Sequence, residues 1–366
     1  MSAIIGIDLG TSNSVVAWED ELGKMNVIAD RDDVRIHPSV VSFVEGKLVG
    51  GVLAGTAAKP RKILDPRNTV YSFKRLMGQT ESSVAVRQLR ARVPYEIEAG
   101  PDDTPLVRTC SGRFSAVELS AIMLGHVRQL ATTHVGRQIK HAVITVPASF
   151  NDAQRSATAS AGAIAGLEVV RVLNEPTAAA LAYGASRRLH EIIAVYDFGG
   201  GTFDLTVLKL EDQVYQVLGT AGDSFLGGDD IDDRLVGWML RKVIDTHRVD
   251  LREDLVAMMK LRDAAEQLKI GLSTKPTVSL TLPELAYDKR KRPLAVTFEI
   301  ARGELEAMIV DLVDRTMSVT RDALAVAQVK AERISDVILV GGTTRIPYVR
   351  TGVTTFFAKA VRTDVS

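Results

Sequence analysis

Two short segments built from glycine, hydroxyl and acidic residues repeat one design about half a chain apart, at residues 6–14 and 196–204. In each, an apolar run leads to an aspartate, Asp8 or Asp197, and then to a glycine turn and a second apolar run. The pattern predicts a strand, a tight turn and a returning strand, written twice. Glycine turns bring backbone N–H groups close to an anion, and a Thr or Ser hydroxyl adds a donor. The chemistry indicated is the binding of a phosphate chain from both sides, with the two aspartates facing a hydrated magnesium ion.

Either segment alone fits an ordinary glycine hairpin, because short glycine motifs often match by chance. Two copies with matching aspartates favour nucleotide binding instead.

The motifs of other classes of nucleotide-binding protein are absent from the sequence. The lysines that follow a glycine, Lys24 and Lys47, are not followed by Ser or Thr, so there is no G-x-x-x-x-G-K-[ST] loop. Residues 197–199 spell the D-F-G of protein kinases, yet the sequence has no H-R-D catalytic loop.

The whole sequence has the composition of an ordinary folded protein with room for two lobes. Its 366 residues are 46% hydrophobic and 25% charged, and 45 basic side chains balance 45 acidic ones. This balance gives no overall attraction to nucleic acid or to a membrane, so we expect neither as a partner. No apolar run approaches the length of a membrane span and no signal pattern opens the sequence, which predicts a cytoplasmic protein. We expect the single cysteine, Cys110, to be buried, and the histidines lack the spacing of transition-metal ligands.

Several helices and strands around the two segments can be predicted from short stretches of sequence. An apolar run at residues 142–146 predicts a strand, after which Asn151 or Asp152 caps a helix. Pro176 fits the first turn of a further helix, which places Glu175 at the mouth of that helix. The Glu175 carboxylate is therefore positioned for chemistry.

A helix over residues 260–273 carries a polar line beside its apolar stripe. The apolar positions are Leu261, Ala265, Leu268 and Leu272. The polar positions beside them are Glu266, Lys269 and Ser273. The spacing does not decide whether this polar line borders a cleft or faces solvent. Further on, residues 337–340 predict a strand that ends in the glycine turn 341–345, where a ligand can approach the backbone closely.

Two charge clusters have structural explanations. The basic run 289–292 lies between two strand-like stretches and predicts a solvated hairpin tip rather than a nucleic-acid patch. The acidic run 229–233 follows two glycines and predicts carboxylates in the first turn of a helix, where they offset the positive end of its dipole. The acidic spacing is not that of a calcium loop.

In their order along the chain, these segments resemble one known family across residues 4–357. The matching stretches are 7–11, 68–71, 74–76, 146–148, 150–155, 174–184, 197–204, 226–228 and 339–342. They are similar to the ATPase domain of the seventy-kilodalton heat-shock protein (DnaK-type) chaperones. Such an ordered set is far more specific than any single glycine motif.

The resemblance implies an α/β protein with an actin-like ATPase fold. Each of two lobes is then built on a ribonuclease-H-like mixed sheet flanked by helices, with ATP in the cleft between the lobes. Lobe I is expected at residues 1–188 and lobe II at residues 189–366. We expect the substrate-binding domain of such a chaperone to be absent from these 366 residues.

The resemblance also implies roles for single residues. Asp8 and Asp197 would hold a hydrated Mg²⁺, and Lys74 would orient the γ-phosphate and the attacking water. Glu175 and Asp204 would position or deprotonate that water. The residues assigned to catalysis are Lys74, Glu175, Asp204, Thr202, Asp8 and Asp197. The residues assigned to ATP or ADP are Gly10, Thr11, Ser12, Asn13, Gly199, Gly200, Gly201, Thr202, Gly227, Gly228, Glu266, Lys269, Ser273, Gly341, Gly342, Thr343 and Arg345.

The implied function is a slow ATP-hydrolysing switch, with Mg²⁺ as its metal and K⁺ as a further candidate ion. Pro147 and Arg155 match the family's relay to the substrate-binding domain. Arg171, Asn174 and Thr177 match its contact surface for a J-domain co-chaperone. A nucleotide exchange factor is a second expected partner, unfolded clients are reached only through the substrate-binding domain, and the chain is expected to be a monomer.

Two other functions stay open on the phosphate loops alone. One is a small-molecule kinase on the same superfold, which would need a catalytic acid beside a second pocket of substrate size. The other is a nucleotide-gated, actin-like scaffold that binds ATP without turning it over. The segments around Lys74, Pro147 and Glu175 argue against the kinase.

Overall fold

The computed structural model describes residues 3–46, 51–184, 189–212, 214–287 and 291–363. The chain divides into two compact units, Met1–Leu181 and Ala182–Ser366, here called the first and second unit. The predicted lobe boundary after residue 188 adjoins residues 185–188, which lie outside the described residues. That boundary therefore stays a prediction.

The first unit is built on a mixed sheet with smaller sheets and helices around it. Its strands are β1 (Ile4–Leu9), β2 (Asn13–Glu19), β3 (Met25–Val27), β4 (His37–Pro38), β5 (Val40–Phe43), β6 (Val52–Ala54), β7 (Thr69–Tyr71), β8 (Glu96–Ala99), β9 (Pro105–Thr109), β10 (Gly112–Ser115), β11 (His141–Val146) and β12 (Glu168–Asn174). Its helices are α1 (Arg61–Leu64), α2 (Val84–Arg90), α3 (Ala116–Val135), α4 (Asp152–Ile164) and α5 (Glu175–Gly184), the last of which begins in this unit.

The main sheet of the first unit has the order β12-β11-β1-β2-β3. Strands β1, β2 and β3 run antiparallel to one another, whereas β11 and β12 run parallel to β1. Alternate β1 side chains Ile5, Ile7 and Leu9 are at most 1% exposed, and Asp8 between them is exposed. Because successive side chains of a strand point to opposite faces, this pattern keeps the Asp8 carboxylate out of the core.

The second unit repeats this plan with different sequences. Its strands are β13 (Leu189–Phe198), β14 (Phe203–Asp212), β15 (Val214–Asp223), β16 (Thr277–Tyr287), β17 (Pro293–Ala301), β18 (Asp336–Val340) and β19 (Val361–Arg362). Its helices are α6 (Gly228–His247), α7 (Leu255–Leu272), α8 (Arg302–Met308), α9 (Val310–Ala327) and α10 (Pro347–Phe357). The main sheet has the order β15-β14-β13-β18-β19, in which β13 to β15 are antiparallel and β18 and β19 run parallel to β13. The prediction of an α/β fold with a mixed sheet in each half is confirmed.

Both predicted glycine hairpins are present. In the first unit β1 pairs with β2 across residues 10–12, and in the second unit β13 pairs with β14 across residues 199–202. Parallel strands that share a sheet end at the same edge, so Asp8 lies beside Thr145 of β11, and Asp197 lies beside Val340 of β18. This edge is where ligands bind in open α/β sheets.

Local predictions of helix ends are confirmed. Asn151 caps α4 through a capping box with Gln154, and Glu175 is the first residue of α5, with Pro176 directly after it. In α7 the predicted apolar residues Leu261, Ala265, Leu268 and Leu272 are at most 1% exposed. Strands β16 and β17 flank the basic run as predicted, but its residues 289 and 290 lie outside the described residues.

Two expectations are corrected. Cys110 is exposed, because it lies in the turn between β9 and β10, where its backbone N–H donates to the Asn68 side chain. Only Asp229 and Asp230 of the acidic run lie in the first turn of α6. Asp232 and Asp233 come later in the helix and form ion pairs with α7. Within the described ranges, no helix combines the length and apolar character that crossing a bilayer needs.

Candidate functional site

The Asp8 carboxylate is held by the neighbouring strand of the first unit. Thr145 Oγ1 donates to Asp8 Oδ1 at 2.9 Å, and the two residues are register partners between β1 and β11. This hydroxyl fixes the direction of the carboxylate while the rest of the side chain stays exposed. A carboxylate held in this way suits an ion or a water cluster, as oxygen ligands do for Mg²⁺.

The turn after Asp8 is fixed by Ser39, which is 1% exposed. Ser39 Oγ donates to the Gly10 carbonyl at 2.7 Å, and Ser39 N donates to the Ser12 carbonyl at 2.9 Å. A Cβ on Gly10 would lie 2.2 Å from the Asn13 carbonyl oxygen, so only glycine fits there. The turn therefore has its shape before any ligand binds.

Lys74 is buried on a short 3₁₀ turn, Phe73–Leu76, whose four residues are all buried. The residue before this turn, Ser72, has a left-handed backbone with φ 54°. That conformation costs a non-glycine residue about 1–2 kcal/mol. Backbone strain of this kind is found mostly at functional sites.

The Lys74 ammonium has a carboxylate partner and an aromatic neighbour. Its Nζ lies 2.9 Å from Glu175 Oε1 and 5.4 Å from the centre of the Phe150 ring. The two charged side chains are 5% and 17% exposed. Burial raises the pKa of Glu175, Lys74 opposes that effect, and the nearby Asp8 carboxylate raises the pKa further. Lys74, Glu175 and Asp8 thus form one charged cluster in the first unit.

The second hairpin is closed by its own backbone. Gly199 N donates to the Thr202 carbonyl at 3.0 Å, and Asp197 is the register partner of Asp204 across the hairpin. Asp204 is 5% exposed, and a Cβ on Gly222 of β15 would lie 2.3 Å from its Oδ1. Asp204 is therefore inside the unit, packed against the third strand of the antiparallel set.

The start of α6 packs directly against this hairpin. Gly228 N donates to the Gly199 carbonyl at 3.0 Å, and Asp229 N donates to the Gly200 carbonyl at 2.8 Å. A Cβ on Gly227 would lie 2.3 Å from the Gly200 oxygen. The two glycines before Asp229 thus let the start of α6 pack against the loop, with its first N–H groups donating to hairpin carbonyls.

Helix α7 contributes Lys269 to the same place. Lys269 Nζ donates to the Gly228 carbonyl at 3.1 Å and to Asp232 Oδ2 at 2.8 Å. Glu266 is close enough to raise the pKa of Lys269, and Ser273 Oγ donates to the Lys269 carbonyl at 3.1 Å. The polar line that the sequence left undecided therefore borders the α6 start through Lys269.

The glycine turn after β18 completes the set. Thr343 Oγ1 donates to the Gly199 carbonyl at 2.8 Å. Gly341 has φ +87°, and a Cβ there would lie 2.4 Å from the Phe198 oxygen. A Cβ on Gly342 would meet nothing within 4 Å, so space is open beside this residue. Arg345 is exposed at the end of the turn.

The residues present fit a nucleotide with its metal. Backbone N–H groups of the glycine turns, hydroxyls and an ammonium are donors for phosphate and ribose oxygens. Three contributors were missed in the sequence: Ser39, Thr145 and Asp232. Each of these side chains forms hydrogen bonds with an element that is distant in sequence. For Thr145, the pairing register between β1 and β11 is the pattern that could have indicated its contact with Asp8.

Two units with the same sheet order, each containing a glycine hairpin that follows an aspartate, define an α/β protein with a duplicated strand–glycine turn–strand motif. The family model for "Hsp70 protein" matches residues 4–366, and the chain belongs to this family. The chaperone protein DnaK of Thermotoga neapolitana is 43% identical over 99% of this chain and 56% of that protein. The chaperone protein DnaK of Thermotoga petrophila is 42% identical over the same shares. The chain thus spans about half the length of these relatives.

The identification of the family from sequence is confirmed, and with it the actin-like ATPase fold class. The roles assigned to single residues are not settled by this membership and stay predictions.

Proposed function

We propose that this chain is the ATP-binding and slowly ATP-hydrolysing switch domain of a DnaK-type chaperone. The observation that carries the proposal is the cluster of Lys74, Glu175 and Asp8 in the first unit, with Lys74 only 5% exposed. A buried ammonium with one carboxylate partner keeps donors for a transferring phosphoryl group. Membership of the Hsp70 family supports the same function.

In this proposal each hairpin binds one side of the phosphate chain. Residues 10–13 and 200–202 offer backbone N–H groups, and Thr11 and Thr202 offer their hydroxyls. Gly228, Lys269 and the turn 341–343 bind the nucleoside half, with Glu266, Ser273 and Arg345 beside it. These elements hold the reacting bond of the nucleotide in place, and such positioning is where phosphoryl transfer gains most of its rate.

Hydrolysis joins water to the γ-phosphorus and releases ADP, phosphate and a proton. Lys74 offsets the negative charge that moves during this step. Glu175 or Asp204 orients the attacking water and accepts its proton, and the raised pKa of Glu175 suits a proton acceptor. Asp8 and Asp197 are the residues that would hold Mg²⁺ through water. When bound, this ion supplies positive charge to the phosphate oxygens.

The partners are proposed on the same basis. A J-domain co-chaperone would contact the surface that includes Arg171, Asn174 and Thr177. Arg155 donates to the Phe150 carbonyl at 2.9 Å and to Asn174 Oδ1 at 2.6 Å, so the predicted relay residue is tied to this surface. A nucleotide exchange factor, a substrate-binding domain and clients reached through it complete the proposed set.

Calorimetry with ADP and ATP, with Mg²⁺ present or removed by chelation, tests the proposal. We expect saturable binding of both nucleotides that weakens when Mg²⁺ is removed. Sedimentation with ATP separates the scaffold alternative, which would form filaments. Absence of binding to either nucleotide would overturn the proposed function.

A further inference from the structure

The largely buried ion pair of Lys269 contains Asp232, a residue with no role in the function proposed above. It joins α6 to α7, its Nζ to Oδ2 distance is 2.8 Å, and the two side chains are 15% and 14% exposed. The attraction within a buried ion pair offsets the cost of desolvating both charges only when the geometry is good. An ion pair at this position beside the nucleoside site is therefore expected to have a function.

The hydrogen-bond donors of Lys269 indicate what this function is. An ammonium has three N–H donors. Within the described part of the chain, one N–H of Lys269 donates to Asp232 and a second to the Gly228 carbonyl. One donor is left for a ligand, and its direction is set by the other two.

The Asp232 carboxylate accepts a hydrogen bond from Lys269. Its Oδ1 is buried and has no hydrogen-bond partner among the described residues, so Lys269 is the group that orients it. Asp229 and Glu266 face the pair with further negative charge. Burial opposes the charge of Lys269, but Asp232 together with Asp229 and Glu266 outweighs burial, and the pKa of the ammonium is raised.

We propose that Asp232 is a positioning residue for nucleotide binding, because it fixes the Lys269 ammonium at the Gly228 carbonyl and leaves one N–H for the nucleoside. This inference rests on the proposed function, since it takes the nucleoside to bind at Gly228 and Lys269. Asp232 itself does not contact the nucleotide in this account.

The chain offers a matched control in the next residue. Asp233 Oδ1 lies 3.0 Å from Arg262, so a second ion pair joins the same two helices. These side chains are 29% and 25% exposed, and the basic partner of Asp233 in this pair is Arg262 rather than Lys269. Asp233→Asn therefore weakens the helix contact without disturbing Lys269.

The test measures the dissociation constant of ADP for Asp232→Asn, Lys269→Met, the double variant and Asp233→Asn. Loss of a charge-assisted hydrogen bond predicts about tenfold weaker binding for Asp232→Asn. The double variant should bind no more weakly than Lys269→Met alone, because Asp232 acts through the lysine. Asp233→Asn should stay within about twofold of the parent chain.

A pH profile gives a readout that a purely structural residue would not move. Burial raises the pKa of Asp232 to about 7. Lowering the pH from 8 to 6 protonates this carboxylate and releases Lys269, so ADP affinity should fall over this range. Asp233→Asn should keep this fall, and Asp232→Asn should lose it.

Unchanged or tighter ADP binding by Asp232→Asn, or losses that add in the double variant, would overturn the inference. If Asp232→Asn does not fold, the ADP affinity of Asp232→Glu is the deciding measurement. This variant keeps the charge but displaces the ammonium from Gly228, so unchanged affinity contradicts positioning. Failure of the parent chain to bind ADP would instead refute the proposed function itself.

Discussion

At the scale of single residues, the Lys74–Glu175 pair explains how a charge is kept inside the first unit. An unpaired buried ammonium would cost several kcal/mol or lose its proton. Glu175 supplies the counter-charge at 2.9 Å, and the Phe150 ring lies beside the ammonium. The lysine therefore has a counter-charge where a phosphoryl group would need its ammonium.

Replacing Lys74 by alanine should stop turnover and spare binding. We expect the single-turnover rate of ATP cleavage to fall at least about 100-fold, because the lysine acts on the transferring group. ATP affinity should stay within about threefold, since the hairpins do most of the binding. Lys62→Ala, an equal change beside the Tyr71 ring, should cleave at the parent rate. Near-normal cleavage by Lys74→Ala would contradict the assigned mechanism.

His126 gives the first unit a pH-dependent stability. Burial lowers the pKa of this imidazole from 6.5, His37 lowers it further, and Asp30 partly offsets both effects. The unfolded chain thus binds more protons than the folded one below about pH 6.5, so stability is present above this pH and is lost on acidification. The thermal midpoint of His126→Gln should fall less between pH 7 and pH 5 than that of the parent chain. The exposed His247 is the control, and His247→Gln should keep the parent slope.

At the scale of elements, the glycines of the site have two different purposes. The sequence favours close approach of a ligand at Gly341 and Gly342 alike. In the structure Gly341 needs its left-handed backbone to pack against Phe198, whereas Gly342 borders open space. One glycine therefore builds the turn, and the other leaves room beside it.

Alanine substitutions should separate these purposes. Gly341→Ala should lower the free energy of unfolding by about 2–4 kcal/mol, from left-handed strain and a clash with the Phe198 oxygen. Gly342→Ala should change it by less than about 1 kcal/mol. Chemical denaturation of both variants without nucleotide measures this difference. Equal stabilities would contradict the account of the turn.

Local patterns predicted the elements well and their contacts poorly. The two hairpins, the Asn151 cap and the position of Glu175 depend on neighbours within a few residues, so the sequence alone indicates them. The Ser39 bonds to the first turn and the Asp232 bond to Lys269 join residues far apart in sequence. No periodicity records such contacts, because they depend on how elements pack. Cys110 was misplaced for the same reason, since a turn overrides the usual burial of a thiol.

At the scale of the whole molecule, two units share one sheet order and one hairpin design. The sheet edge of the first unit presents Asp8, and that of the second presents Asp197. In the proposed switch, a partner domain would read the difference between the ATP-bound and the ADP-bound states.

Single-turnover cleavage of ATP by the purified chain with Mg²⁺ tests the central claim most directly. We expect slow conversion of bound ATP to ADP and phosphate, loss of cleavage when Mg²⁺ is chelated, and faster cleavage with a J-domain protein. Tight ATP binding with no cleavage under any of these conditions would contradict this claim and favour the nucleotide-gated scaffold.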